Sequence, residues 1–131
     1  MPGTFHRWIV DAMNVIGSRP DGWWRDRGGA VVALVEKIDR WAAAEAEAVT
    51  VVLERPPRAP IPASVVEVAH APRAAPNSAD DEIVRLVRSD ARPAGVRVVT
   101  SDRALIERVR CLGAAVFPAE GFRNLVDPRD R

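Results

Sequence analysis

Arg7-Trp8-Ile9-Val10-Asp11-Ala12-Met13-Asn14 reads as a short buried strand that ends on a carboxylate, and this reading decides the fold. A second apolar run, Val96-Arg97-Val98-Val99, leads into Thr100-Ser101-Asp102-Arg103. A third acidic motif, Ser78-Ala79-Asp80-Asp81-Glu82, opens an amphipathic stretch. Ligands of open α/β sheets bind outside the carboxyl ends of the strands. Carboxylates gathered there repel one another unless protons or a cation neutralise them. Oxygen ligands favour a hard cation such as magnesium or manganese. Three motifs converging on one sheet edge therefore point to a metal site and to metal-assisted phosphodiester cleavage.

Working outward, residues 14–29 form a glycine- and proline-containing connection. From about Ala30 to Ala48, Val31, Leu34, Val35 and Ile38 recur at helical spacing. Val49 to Leu53 is a second strand, followed by a proline-rich stretch that cannot be regular helix. Val65 to Val68 predicts a weak third strand, short, at an edge, or antiparallel, because the connection before it is near the minimum for a parallel crossover. Ser78 starts a helix with Ile83, Leu86 and Val87 inward; Val96 to Val99 is the fourth strand. Asp102 opens a helix to about Leu112, with Gly113 as its stop. Residues 114–117 form a last strand. The alternation of strand and helix predicts a single α/β domain with a largely parallel sheet, its core at about 7–118 and a tail from about 119 to 131.

The chain has 131 residues, enough to bury a real core, and 47% hydrophobic with 28% charged residues is the balance of a soluble globular protein. A net charge of +1 gives no global basic field, leaving only local patches to hold nucleic acid. Lys37 is the only lysine; the richness in Arg, Ala, Val and Pro reads mainly as a genomic bias. A single cysteine, Cys111, excludes an intrachain disulfide, suits a reducing cytoplasm and is expected to be a buried structural thiol. No apolar run approaches a membrane span.

Each motif also has a purely structural reading. Asp11 and Asn14 serve equally as turn residues. Ser78 and Asp81 have capping-box spacing, and acids suit a first helical turn. Thr100-Ser101-Asp102 serves equally as an N-cap cluster. Dinucleotide and P-loop sites lack their glycine signatures. A phosphoacceptor receiver domain lacks its lysine after the last strand. His6 and His70 have no nucleophile-elbow partner. What favours function is that all three acidic motifs fall at comparable positions on the sheet edge.

Asp11-Ala12-Met13-Asn14-Val15-Ile16-Gly17 resembles the D-G-x-N-x-I-G opening of NYN domains, within the PIN-like nuclease superfamily. Ser78 to Ile83 and Val99 to Asp102 resemble the T-A-D-x-x-I and T-S-D motifs of its YacP-like branch, in the same order. The resemblance covers about Trp8 to Phe117. It implies a PIN-like three-layer α/β/α domain, with a mostly parallel sheet of four to five strands, and a magnesium- or manganese-dependent ribonuclease. Asp11, Asp80 and Asp102 would be its metal carboxylates, with Asn14 and Ser101 as supporting polar groups. Ala12 departs from the usual glycine, and Glu54 stands where an aspartate usually ends the second strand. Glu54 and Asp81 are possible additional acids.

The expected function is therefore RNA endonuclease activity. RNA is the expected partner, and whether it is messenger or ribosome-associated is left open. Trp23 and Trp24 either stack on an unpaired base or pack over the first helix, the second being favoured. Arg19, Arg25, Arg27, Arg73 and Arg103 stand near the predicted edge as phosphate contacts or as a solvated surface. The rival reading is an RNA- or nucleotide-binding module of the same fold without turnover.

Overall fold

The computed structural model describes residues 4–72 and 75–129. Five strands, β1 (Arg7–Asp11), β2 (Val49–Leu53), β3 (Glu67–His70), β4 (Val96–Val99) and β5 (Ala115–Phe117), form one sheet in the order β3-β2-β1-β4-β5. Every pairing is parallel. Five helices, α1 (Ala12–Ile16), α2 (Arg27–Glu45), α3 (Ser78–Ser89), α4 (Arg103–Cys111) and α5 (Ala119–Val126), complete the domain.

Successive strand residues point to opposite faces, so each parallel strand feeds two cores. Trp8, Val10, Val51 and Val99 face α1, α2 and α5, packing with Val15, Ile38 and Phe122. Ile9, Val52 and Val98 face α3 and α4, packing with Ile83, Val87, Leu105 and Val109. The architecture is thus the three-layer α/β/α arrangement. The chain runs from β1 outward to β3, then returns to the other side of β1 as β4. That reversal opens a crevice between the carboxyl ends of β1 and β4.

Four expectations are corrected. The expected tail from 119 begins instead with a packed helix: α5 buries Ala119, Phe122 and Val126, and Phe122 packs against Trp8 and Trp41 with ring centroids 5.2 and 5.4 Å apart. The connection after β1 is not irregular throughout, because α1 starts directly at Ala12 and α2 starts at Arg27. In α2, the Asp26 side chain caps the backbone N–H of Gly29 at 3.0 Å, and a Cβ at Gly29 would collide with that carboxylate. The third strand lies two residues later than expected, and it is a short, parallel edge strand. Its proline-rich approach is tied down by Asp39, whose carboxylate accepts the backbone N–H groups of Ser64, Val65 and Val66 and is held below the usual carboxylate range by them. Cys111 is exposed on the last turn of α4, on its outward face, and is no part of either core.

Phe122→Ala should cost about 3–5 kcal/mol, because it deletes a fully buried aromatic from a close-packed cluster. Urea denaturation measures it; a loss below ~1 kcal/mol would mean that α5 does not belong to the folded core.

Candidate active site

The register of β1 against β4 pairs Val10 with Val99, which leaves Asp11 and Thr100 side by side at the crevice. Thr100 is fully buried and donates its hydroxyl to Asp11 Oδ2 at 3.1 Å. The same Oγ1 accepts the backbone N–H of Asp102 at 3.1 Å, fixing the turn out of β4. Asp102 is the N-cap of α4, its Oδ1 accepting from Leu105 N at 3.0 Å. Asn14, one turn into α1, accepts the Ser101 N–H at 2.7 Å and so ties the two loops together. Asp80 comes from the first turn of α3.

Asp11, Asn14, Asp80 and Asp102 all line one open cleft of about 260 Å³, together with Met13, Glu54 and Ser78. Asp11 is 6% exposed. Burial is the main reason its carboxyl is pushed up from the ordinary 3.8 to about 6; Asp80 and Asp102 push it further, while the Thr100 hydroxyl and the Asn14 backbone oppose them. Asp80 is also raised, first by burial and then by Asp102, with Arg108 pulling the other way. Carboxyls raised by burial and by neighbouring carboxylates in a cleft mark a candidate functional site.

Among the described residues, no three acidic, histidine or cysteine side chains are gathered closely enough to enclose an ion. The donor set still fits a hard divalent cation of magnesium type. Such an ion keeps several waters and takes only one or two carboxylates directly. Asp11, Asp80 and Asp102 all line one open cleft. They suit a hydrated ion better than an all-protein cage.

The other expected site residues divide. Ser101 does not line the cleft; its hydroxyl accepts the Ala119 N–H at 3.0 Å and anchors the start of α5. Asp81 points away: it is exposed and accepts from Arg108 Nη1 at 3.0 Å. Nor does it close a capping box, because the N-cap of α3 is Asn77 in the left-handed region, and the Ser78 hydroxyl donates to Glu54 O at 2.9 Å. Glu54 lines the cleft, but its Oε1 is taken by Arg27 at 3.1 Å and Arg55 at 3.7 Å. Arg19 is 7% exposed and is spent on the end of α5, bonded to Asn124 and Asp127, so it is withdrawn as a phosphate contact. Arg103 is exposed beside Asp102. Trp23 packs partly against the core, whereas Trp24 is exposed. Arg73 lies outside the described residues. Thr100 was not singled out on its own from sequence: its part of the motif reads as capping, and only the β1–β4 pairing reveals its bond to Asp11.

The Asp11 shift has a consequence for stability. Its folded pKa is raised, so the native state holds this proton more tightly than the unfolded chain. The ionised group therefore costs stability progressively as pH rises from about 4 to about 6. At about 1.4 kcal/mol per pH unit, the cost above pH 6 is about 3 kcal/mol. In chelator, Asp11→Asn should be more stable than wild type by about 1–3 kcal/mol at pH 7.5, and the two should converge near pH 4. Denaturation midpoints across this range test it; a mutant less stable at pH 7.5 would mean that Asp11 is not under strain.

A family model for the YacP-like NYN domain matches residues 8–131. Two solved structures of Rae1 (YacP) from Bacillus subtilis are similar in fold. One is 22% identical with a TM-score of 0.73, over 90% of this chain and 72% of that one. The other, a point mutant, is 23% identical with a TM-score of 0.71, over 92% and 75%. No protein of curated function matches the chain. Among the described residues, no helix is long and apolar enough to cross a membrane. The family match runs from β1 through α5 and takes in all three acidic motifs, and the chain belongs to the YacP-like NYN domain family.

Proposed function

We propose that this protein is a metal-dependent endoribonuclease that hydrolyses RNA phosphodiester bonds in the Asp11–Asp80–Asp102 cleft. The observation that carries this reading is that carboxylates from β1, α3 and the loop after β4 line one open cleft, where Asp80 and Asp102 add to the burial that raises Asp11, and Asp102 adds to that which raises Asp80. Three such groups repel a phosphodiester unless a cation stands between them. Asp11, Asp80 and Asp102 would hold magnesium or manganese, partly through water. When bound, the ion supplies charge to the scissile phosphate and a lowered pKa to an attacking water.

The chain's own residues supply the order around it. The Thr100 hydroxyl fixes the Asp11 carboxylate, and the Leu105 N–H fixes that of Asp102. Asn14 keeps the loops after β1 and β4 at a constant separation. Attack by water forms one phosphorus–oxygen bond and breaks another, and the departing oxygen takes up a proton. Glu54, being paired with two arginines, serves the rim of the cleft and not the ion. Family membership supports RNA as the substrate class.

One observation favours the second reading, a non-catalytic RNA-binding module: the carboxylates are not gathered into a ready-made cage. Labelled single-stranded RNA incubated with and without manganese separates the two. Wild type should cleave only with the metal. Asp80→Asn should lose at least about 100-fold in rate, the scale of removing a group aimed at developing charge. Asp81→Asn should stay within about threefold and cost at most ~1 kcal/mol, as an exposed ion pair does. Manganese should also raise the melting temperature of wild type and leave that of Asp11→Asn unchanged. Cleavage that persists undiminished in Asp80→Asn would remove the assignment.

A further inference from the structure

Beside the cleft, a short 3-10 turn at Trp23–Arg25 follows Gly22, whose φ of 88° lies in the left-handed region and favours glycine. The turn lifts two adjacent indoles out of the surface in different ways. Trp23 is half-buried, packs against the core around α1 and α2, and acts as the footing. Trp24 is 52% exposed, and its ring stands edge-on to Trp23 with centroids 5.9 Å apart at 85°. An exposed indole packed edge-to-face on a half-buried one is pre-organised for contact.

Its surroundings identify the contact. The Arg25 guanidinium lies 5.9 Å from the Trp24 ring, and that of Arg27 lies 5.5 Å from the Trp23 ring. Arg27 also donates to Glu54 Oε1 at 3.1 Å, and Glu54 lines the carboxylate cleft. Trp23 and the cleft-lining Glu54 are therefore one guanidinium apart, with Trp24 the next residue. Arg25, Arg27 and Arg55 are all exposed; Arg25 lies at Trp24, Arg27 between Trp23 and Glu54, and Arg55 at Glu54. Guanidiniums for phosphates with an aromatic face for a base is the composition of a single-strand binding groove. A base inside a duplex has neighbours on both faces and offers none to an indole.

We propose that Trp24 is a stacking platform for an unpaired base of single-stranded RNA whose backbone continues past Arg27 into the cleft. Glu54 is then a positioning residue that holds Arg27 between platform and cleft. The proposal rests on RNA as the substrate, and it adds where and in what form the strand is gripped.

Anisotropy titrations in EDTA, which leaves the strand uncut, test it with three labelled ligands: an oligoadenylate of about 12 nucleotides, an abasic strand of equal length, and a duplex. Trp24→Ala should weaken oligoadenylate binding about tenfold and leave the abasic strand and the duplex unchanged. Trp24→Phe should restore most of the loss. Unchanged oligoadenylate affinity in Trp24→Ala, or an equal loss on the abasic strand, overturns the platform. Manganese-dependent cleavage, followed in parallel, keeps the two readings apart. Cleavage by wild type with no Trp24 dependence of binding sinks the platform alone. Trp24-dependent binding without cleavage supports the platform and sinks the nuclease. A wild type that binds no RNA overturns both and leaves Trp24 as a protein contact.

Discussion

The site depends on one bond, from the buried Thr100 hydroxyl to the nearly buried Asp11 carboxylate, made where β1 and β4 part. A carboxylate withdrawn from water this far must be neutralised, hydrogen-bonded or paired, or it destabilises the fold. Here Thr100 and the Asn14 backbone offset only part of the burial, and the carboxyl stays well above its usual range. The fold tolerates that strain because the two strand ends are over-determined. Parallel pairing with β2 and β4 fixes β1 on both sides, and apolar layers cover it above and below. Locally unfavourable electrostatics held by a stable frame is a common arrangement at functional sites.

That frame reaches the site through the C-terminal helix. Ser101 donates its backbone N–H to Asn14 and accepts the N–H of Ala119 with its hydroxyl, so one residue joins α1, the loop after β4 and the start of α5. The far end of α5 is pinned by Asp127, which meets Arg19, Lys37 and Arg123. Between these ends Phe122 fills the space beneath Trp8 and Trp41. The helix therefore belongs to the site's foundations, although none of its side chains lines the cleft.

Much of this was legible in the sequence. β1, β2 and β4 are short β-branched runs buried on both faces, and such strands announce themselves by composition alone. The helices α3 and α4 carry clean apolar periodicity. What escaped has identifiable causes. β3 is an edge strand, half-exposed, and its approach at 64–66 is held by a remote carboxylate on α2, so little in its own residues fixes its limits. α2 begins at an unpromising Arg27-Gly28-Gly29 because Asp26 caps Gly29, where a Cβ would clash. α5 follows Pro118 and is only eight residues long, too short for its period to stand out. Arg19 looked free because its partners lie more than 100 residues along the chain.

The adjacent acids Asp80 and Asp81 mark where local reasoning succeeds and where it stops. Successive helical residues project about 100° apart, so only one of two neighbours can face a given cleft. That geometry alone divides them, and the division found is Asp80 lining the cleft and Asp81 reaching Arg108 on α4. The cap is different. Serine at position 78 and an acid three residues on satisfy the capping pattern in one dimension. In three dimensions the end of β2 lies close enough for Ser78 to donate to Glu54 O, and Asn77 takes the N-cap position in a left-handed conformation that asparagine tolerates. A hydroxyl that could have closed a local ring instead ties the first turn of α3, two residues before Asp80, to the end of β2.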